Sequence, residues 1–94
     1  NARVFEDENG KMNLNIKQVN GSVLAISQFT LSWRGDKGNR PSFDRSMPPK
    51  EAEELFKTFC TMLGQHVPTQ TGVFGASMEV NLTNLGPVTF IFEF

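Results

Sequence analysis

Only one stretch of this 94-residue sequence has the periodicity of an α-helix, which restricts the fold to short strands arranged around a single helix. Between Pro49 and Gly64 the apolar side chains recur at the i, i+3, i+4, i+7 spacing of an amphipathic helix. A proline fits the first helical turn because its missing N–H would have no partner there, and a glycine is a common stop signal. The sequence therefore predicts an amphipathic helix over residues 49–64.

The other apolar residues occur in short runs bounded by turn residues, as expected of strands. Asn-Gly pairs at 9–10 and 20–21 are strong turn signals. The run 23–26 is apolar throughout, which predicts a central strand covered on both faces. We expect loops at residues 32–49 and 69–75. The predicted strands are residues 3–6, 23–26, 77–82 and 88–94.

Short strands with one helix predict a single α+β domain over residues 1–94. We expect a mostly antiparallel or mixed β-sheet with the amphipathic helix packed on it. The sequence contains no internal repeat and no low-complexity segment that would indicate a second domain.

The overall composition argues against several classes of protein. A net charge of −1 is unlike that of proteins that coat nucleic acid nonspecifically. Cys60 is the single cysteine and has no internal disulfide partner, so a reducing, cytoplasmic location is expected. No apolar run approaches the roughly 20 residues of a membrane span, so we expect no membrane partner.

Positive charge is concentrated in the loop predicted at residues 32–49 and at the start of the helix. Residues 34–50 hold five basic and two acidic side chains, a local net charge of +3 against −4 for the rest of the chain. Such a cluster either contacts phosphates or is a solvated surface. The candidate phosphate-binding residues are Lys37, Arg40 and Arg45.

The side chains that usually perform catalysis are scarce. His66, the only histidine, follows the predicted helix, where an imidazole can favour the helix C-terminus, and we interpret it as structural. Cys60 lies on the apolar stripe of the helix and is expected to be a small buried side chain. The sequence has no metal-binding or phosphate-binding motif, so we expect no metal and no cofactor.

Two segments place polar side chains and special backbone at the ends of apolar runs, where a rigid sheet can hold a site. Ser27, Gln28 and Thr30 follow the run 23–26, and a Gly-Pro pair precedes the last predicted strand. Neither hydroxyl has a base beside it in the sequence, and a hydroxyl attacks poorly without one. Spacing alone leaves two interpretations of these residues open. They are either ordinary strand and turn residues, or they form a functional site.

Four segments, in order, resemble the D-aminoacyl-tRNA deacylases, homodimeric hydrolases that free tRNA from wrongly attached D-amino acids. The segments are Arg-Val-Phe-Glu-Asp-Glu at 3–8, Ser-Gln-Phe-Thr-Leu at 27–31, Phe-Gly-Ala-Ser-Met at 74–78 and Asn-Leu-Gly-Pro-Val-Thr at 84–89. The resemblance covers the C-terminal two thirds of the family length. We therefore expect this chain to lack an N-terminal strand pair and helix that complete the sheet in the family.

The resemblance implies a catalytic role for residues 27–30. Ser27, Gln28, Phe29 and Thr30 would line the pocket for the terminal adenosine and the aminoacyl ester. The main-chain N–H groups of Phe29 and Thr30 would be directed at the carbonyl oxygen as oxyanion donors. The activator would be the 2′-hydroxyl of the terminal adenosine, with Thr30 as a nucleophile the alternative.

The resemblance also implies substrate contacts outside this segment. Phe74 and Met78 match pocket residues of the family. Ser46 falls where many members have alanine close to the substrate, so it is expected to alter how tightly glycine or small D-residues are held.

Discrimination between D- and L-residues would depend on Gly86 and Pro87. In the family this bond is cis and projects from one subunit of a homodimer into the active site of the other. Its neighbouring carbonyl oxygens hold the amino group of the substrate, so that an L side chain collides with them and a D side chain points to solvent. Glycine, with no side chain to exclude, should pass.

Three functions remain open on the sequence. The first is hydrolysis of D-aminoacyl-tRNA, and of glycyl-tRNA mischarged on the alanine tRNA. The second is a catalytically inactive nucleic-acid-binding module of the same fold that uses residues 34–50. The third is a proofreading domain detached from a synthetase. The intact segments 27–31 and 84–89 favour the enzyme, because a pure binder needs no pocket.

Overall fold

The structure, a computed structural model, describes residues 1–36 and 38–94. Within these residues it contains four short strands, one 3₁₀ turn and one α-helix. In chain order these are β1 (Phe5–Glu6), β2 (Met12–Leu14), β3 (Val23–Ala25), the 3₁₀ turn (Phe29–Ser32), α1 (Pro49–Gly64) and β4 (Thr69–Thr71). The α+β class is confirmed, and the described strands form an antiparallel pair and a parallel pair.

Helix α1 has the predicted bounds, Pro49–Gly64, and its first turn contains the proline together with Glu51. The helix packs against β4. The ring centroid of Phe56 lies 6.2 Å from that of Phe74, which follows β4. Cys60, expected to be buried, is half-buried. In the part of the chain that the structure describes, no helix is long and apolar enough to cross a membrane.

Strands β1 and β2 form a hairpin through the turn predicted at residues 7–10. Asp7 organises this turn, since its Oδ1 accepts the N–H of Asn9 at 2.8 Å and that of Lys11 at 3.0 Å. The hydrogen bond from Lys11 is the largest cause that lowers the pKa of Asp7, because it stabilises the ionised carboxylate. The stabilisation is present at neutral pH and is lost as the pH falls through the lowered pKa.

Strands β3 and β4 pair in parallel, with Val23 opposite Thr69 and Ala25 opposite Thr71. The prediction of a loop at residues 69–75 is therefore wrong for Thr69–Thr71, which form β4. The segment Thr-Gln-Thr has no apolar run to indicate a strand, but β-branched threonines fit a pleated surface. The N–H of Val23 also donates to the carbonyl of Pro68 at 2.9 Å, which extends the ladder. Parallel strands need a long crossover connection, and α1 lies within it.

The core of the described chain is small. Its buried apolar residues are Ala25 and Val67. Leu24, whose side chain lies on the opposite face of β3 from Ala25, is 57% exposed. The prediction that residues 23–26 are covered on both faces is therefore wrong. Successive side chains of a strand point to opposite faces, and the described residues cover only one of them.

The strands predicted at residues 77–82 and 88–94 are absent from the described structure. Their apolar side chains stay exposed, including Leu82 at 73% and Ile91 at 83%. An extended segment becomes a strand only when a neighbour accepts and donates backbone hydrogen bonds. Among the described residues, no such neighbour pairs with either segment. The alternating pattern therefore indicates segments suited to forming strands, but it does not indicate which strand each would pair with.

Two glycines give a matched test of the hairpin turn. Gly10 has a φ of +74°, which L-residues adopt at a cost of about 1–2 kcal/mol, so Gly10→Ala should destabilise the protein by about that amount. Gly64, at the end of α1, has nothing within 4 Å of an added Cβ. Gly64→Ala should therefore be neutral or stabilising, by up to about 0.5 kcal/mol. Urea unfolding of both variants of the full-length protein measures the difference, and equal midpoints would contradict the assigned turn geometry.

Candidate active site

The segment Ser-Gln-Phe-Thr-Leu begins two residues after β3 ends, and its last three residues lie in the 3₁₀ turn. In such a turn each N–H bonds to a carbonyl three residues earlier, as the N–H of Leu31 does to Gln28 at 3.3 Å and that of Trp33 to Thr30 at 3.1 Å. The N–H groups of Phe29 and Thr30 precede these bonds and have no acceptor within the turn. The two predicted oxyanion donors are thus consecutive in the chain, a few residues beyond the end of β3.

The hydroxyl of Thr30 has a defined partner. The side-chain amide of Gln28 donates a hydrogen bond to Thr30 Oγ1. An amide nitrogen carries no lone pair available to take a proton, so Gln28 orients this hydroxyl without activating it. Among the described side chains, no carboxylate or imidazole is hydrogen-bonded to Thr30. The arrangement is suited to orienting an ester and stabilising an oxyanion, and it lacks the base that a Thr30 nucleophile requires.

His66 lies away from this segment, in agreement with the structural interpretation. It is exposed just beyond the end of α1, and its N–H donates to the carbonyl of Leu63 at 3.0 Å, which caps the last turn. It lines a shallow cavity together with Lys17 and Asn20. No residue of the segment 27–31 lines that cavity.

The structure brings Ser46 to the 3₁₀ turn. Its Oγ lies 2.5 Å from Ser32 Oγ and 3.4 Å from the carbonyl oxygen of Phe29. The ring of Phe43 packs edge-on against that of Phe29, with centroids 5.0 Å apart. Sequence reasoning missed Ser32 and Phe43, because neither belongs to a catalytic residue pattern. The only available signal was their position in a polar loop that returns to the turn.

Phe74 and Met78 are positioned by separate contacts. Phe74 is half-buried and packs against Phe56 of α1. Met78 Sδ accepts the N–H of Val73 at 3.4 Å, and it occupies the space where a side chain on Gly72 would lie, 2.6 Å from an added Cβ. These contacts fix residues 72–78 beside the helix that crosses over from β3 to β4.

The Gly86-Pro87 bond is cis, as the resemblance implies. Both residues are exposed, and Leu85 beside them is 88% exposed. Within the described residues, no hydrogen bond joins residues 85–88 to the segment 27–31.

The predicted phosphate-binding residues differ in their surroundings. Arg45 pairs with Asp36 at 3.5 Å, with both side chains more than half exposed. Arg40 is exposed in the same loop. Lys37 lies outside the described residues. Across residues 1–36 and 38–94, no group of three or more His, Cys, Asp or Glu residues is placed to hold a metal ion.

Comparison with known proteins agrees with the sequence motifs. The family model described as D-Tyr-tRNA(Tyr) deacylase matches residues 1–93. Relatives named D-aminoacyl-tRNA deacylase occur in Nitratiruptor sp. (57% identical over 91 residues, 97% of this chain and 62% of the relative) and in Dichelobacter nodosus (60% over 91 residues, 96% and 63%). A third, from Staphylococcus carnosus, is 55% identical over 94 residues, 99% of this chain and 63% of the relative.

The chain thus spans somewhat less than two thirds of the length of these relatives. The match of the family model nevertheless extends over almost every residue of the chain. The chain belongs to the D-Tyr-tRNA(Tyr) deacylase family.

Proposed function

We propose that the protein hydrolyses the ester bond of D-aminoacyl-tRNA, and of glycyl-tRNA mischarged on the alanine tRNA, as a step of translation quality control. The observation that carries the proposal is the pair of N–H groups of Phe29 and Thr30, which have no acceptor within the 3₁₀ turn, beside a threonine hydroxyl to which no described carboxylate or imidazole is hydrogen-bonded. The relatives named D-aminoacyl-tRNA deacylase support D-aminoacyl-tRNA as the substrate. The proposal locates the enzyme in the cytoplasm, in keeping with its single unpaired cysteine.

In the proposed reaction, water adds to the carbonyl carbon of the ester and the carbonyl oxygen becomes an oxyanion. The N–H groups of Phe29 and Thr30 donate to this oxygen, which lowers the barrier because the donors are already oriented. The intermediate then releases the ribose hydroxyl, giving the free D-amino acid and tRNA. The neighbouring 2′-hydroxyl of the terminal adenosine activates the reaction in place of a protein base, since Gln28 offers Thr30 only a donor.

If the 2′-hydroxyl of the substrate activates the reaction, removing it should abolish cleavage, whereas removing the Thr30 hydroxyl should not. Thr30→Ala should retain activity within about tenfold of the parent, because it removes a hydroxyl without a base and leaves both N–H groups. A D-Tyr-tRNA ending in 2′-deoxyadenosine should be cleaved hardly at all. Single-turnover release of D-Tyr by the full-length protein measures both effects.

The control variant is Thr58→Ala, which removes an exposed hydroxyl bonded to the carbonyl of Glu54 on α1, at 3.1 Å. A loss of roughly a thousandfold or more in Thr30→Ala alone would restore Thr30 as the nucleophile. Tight tRNA binding by the parent without any turnover would favour the inactive nucleic-acid-binding module instead.

We further propose that the protein is a homodimer in which Gly86 and Pro87 of each subunit complete the active site of the other. Two observations support this arrangement. Residues 85–87 are exposed and make no hydrogen bond to the segment 27–31 of their own chain. Large apolar side chains are exposed along residues 78–94, and extensive exposed apolar surface is typical of protein–protein contacts. The carbonyl groups of the pair would exclude L side chains from the site.

Gly86→Ala tests the role of this pair. A Cβ on Gly86 would overlap the backbone nitrogen of Val88, so the local backbone must shift. Cleavage of D-Tyr-tRNA should fall by about tenfold or more, because misplaced carbonyls no longer hold the amino group. Gly64→Ala, whose added Cβ meets nothing, is the control. Unchanged cleavage by Gly86→Ala with an unchanged circular dichroism spectrum would remove the pair from the site.

The basic loop, which is the segment of residues 34–50, is proposed to contact tRNA phosphates. Arg40→Gln should weaken tRNA binding and reduce the slope of log K against log salt by about 0.7–0.9, the value for one lost phosphate contact. Arg45→Gln should reduce the slope by less, because Asp36 already neutralises part of the Arg45 charge. Fluorescence titrations from about 50 to 200 mM salt measure both slopes. An unchanged slope in Arg40→Gln would show that the loop is only solvated.

A further inference from the structure

The hydroxyl of Ser32 is hydrogen-bonded to the carbonyl oxygen of Phe29, and the hydroxyl of Ser46 lies beside both. Ser32 Oγ donates to it at 2.8 Å, and Ser46 Oγ lies 2.5 Å from Ser32 Oγ and 3.4 Å from the same carbonyl. Each hydroxyl carries one hydrogen. When Ser32 donates to Phe29, the hydrogen between the two serines must come from Ser46. The result is a chain from Ser46 to Ser32 to Phe29, in which each hydrogen bond polarises the next.

This chain acts on the peptide unit that contains one of the proposed oxyanion donors. The carbonyl of Phe29 and the N–H of Thr30 belong to the same planar peptide group and point in opposite directions. Fixing the carbonyl oxygen therefore fixes the direction of the Thr30 N–H. The serines lie on the carbonyl side of the unit, so they orient the donor without occupying the space in front of it.

The same contacts join the site to the basic loop. Ser46 is next to Arg45, and its N–H donates to the carbonyl of Phe43 at 2.9 Å. The Phe43 ring packs edge-on against Phe29. The loop and the 3₁₀ turn thus meet at the Phe43–Phe29 ring contact and at the Ser46–Ser32 hydroxyl pair. The hydroxyl pair is hydrogen-bonded to the carbonyl of Phe29, which belongs to the same peptide group as the Thr30 N–H.

We propose that Ser46 is a positioning residue that acts through Ser32 to orient the Thr30 N–H, and that it couples the placement of the basic loop to the oxyanion donors. The proposal rests on the proposed deacylase function for its catalytic consequence. Ser46 is assigned a role in the rate of the reaction, in place of the effect on how tightly small residues are held that the resemblance implies, because its Oγ contacts Ser32 and the carbonyl of Phe29.

Steady-state kinetics of the full-length protein with D-Tyr-tRNA test the catalytic consequence. Ser46→Ala should lower kcat by about three- to tenfold, the range for loss of one neutral hydrogen bond, with KM changed by less than about twofold. Ser46→Thr, which keeps the hydroxyl, should recover most of kcat. Ser32→Ala should resemble Ser46→Ala, and the double variant should be no slower than Ser32→Ala, because both changes break one chain. Additive losses, or a change in KM alone, would overturn the proposal.

Amide hydrogen exchange tests the coupling without any assay of activity. In Ser46→Ala the amides of Leu31 and Trp33, which are bonded within the 3₁₀ turn, should exchange several-fold faster, whereas those of α1 should keep their rates. Ser22→Ala, at an exposed serine before β3, is the matched control and should change neither set. Unchanged exchange at the turn would overturn the positioning role. If the parent cleaves no D-aminoacyl-tRNA, the proposed function fails, and the exchange result still decides whether Ser46 holds the turn.

Discussion

The parallel pairing of β3 with β4 is the interaction on which the rest of the described structure depends. It requires a crossover connection, and α1 fills that connection and packs on β4. The 3₁₀ turn begins a few residues after β3 ends, and Phe74 follows β4. Because the two strands run in the same direction, their C-terminal ends lie at the same edge of the sheet. The hydrogen bonds between β3 and β4 therefore hold the segment 27–31 and the residues that follow β4 at one edge of the sheet.

Among the described residues, the candidate site consists of backbone donors and orienting hydroxyls, and no carboxylate or imidazole is hydrogen-bonded to Thr30. Gln28 donates to Thr30, and Ser32 donates to the carbonyl of Phe29. None of these contacts removes a proton from a nucleophile. An aminoacyl ester is already activated toward water, so orientation and oxyanion stabilisation are the contributions that such a site can make. The proposal that the 2′-hydroxyl of the substrate activates the reaction follows, because these protein groups orient the ester and stabilise the oxyanion but do not remove a proton.

The apolar segments near the C-terminus are exposed because no described strand pairs with them. Residues 77–82 and 88–94 alternate as strands do, but a strand is completed only by a neighbour, and none pairs with them among the described residues. Leu24 is exposed for the same reason, since the described residues cover one face of β3 only. Sequence patterns indicate which side chains are suited to burial. They do not indicate which surface buries them.

The sequence by itself determined the helix and the family. The apolar spacing and the terminal proline and glycine set the bounds of α1, because helical hydrogen bonds are local and depend on neighbouring residues. The motifs at 27–31 and 84–89 identified the candidate site, and the cis bond followed from the resemblance. Tertiary structure alone decided that the polar segment Thr69–Thr71 is a strand and that Ser46 meets Ser32 and Phe29. Both results join residues distant in sequence, and such contacts depend on how the chain folds back on itself rather than on local propensity.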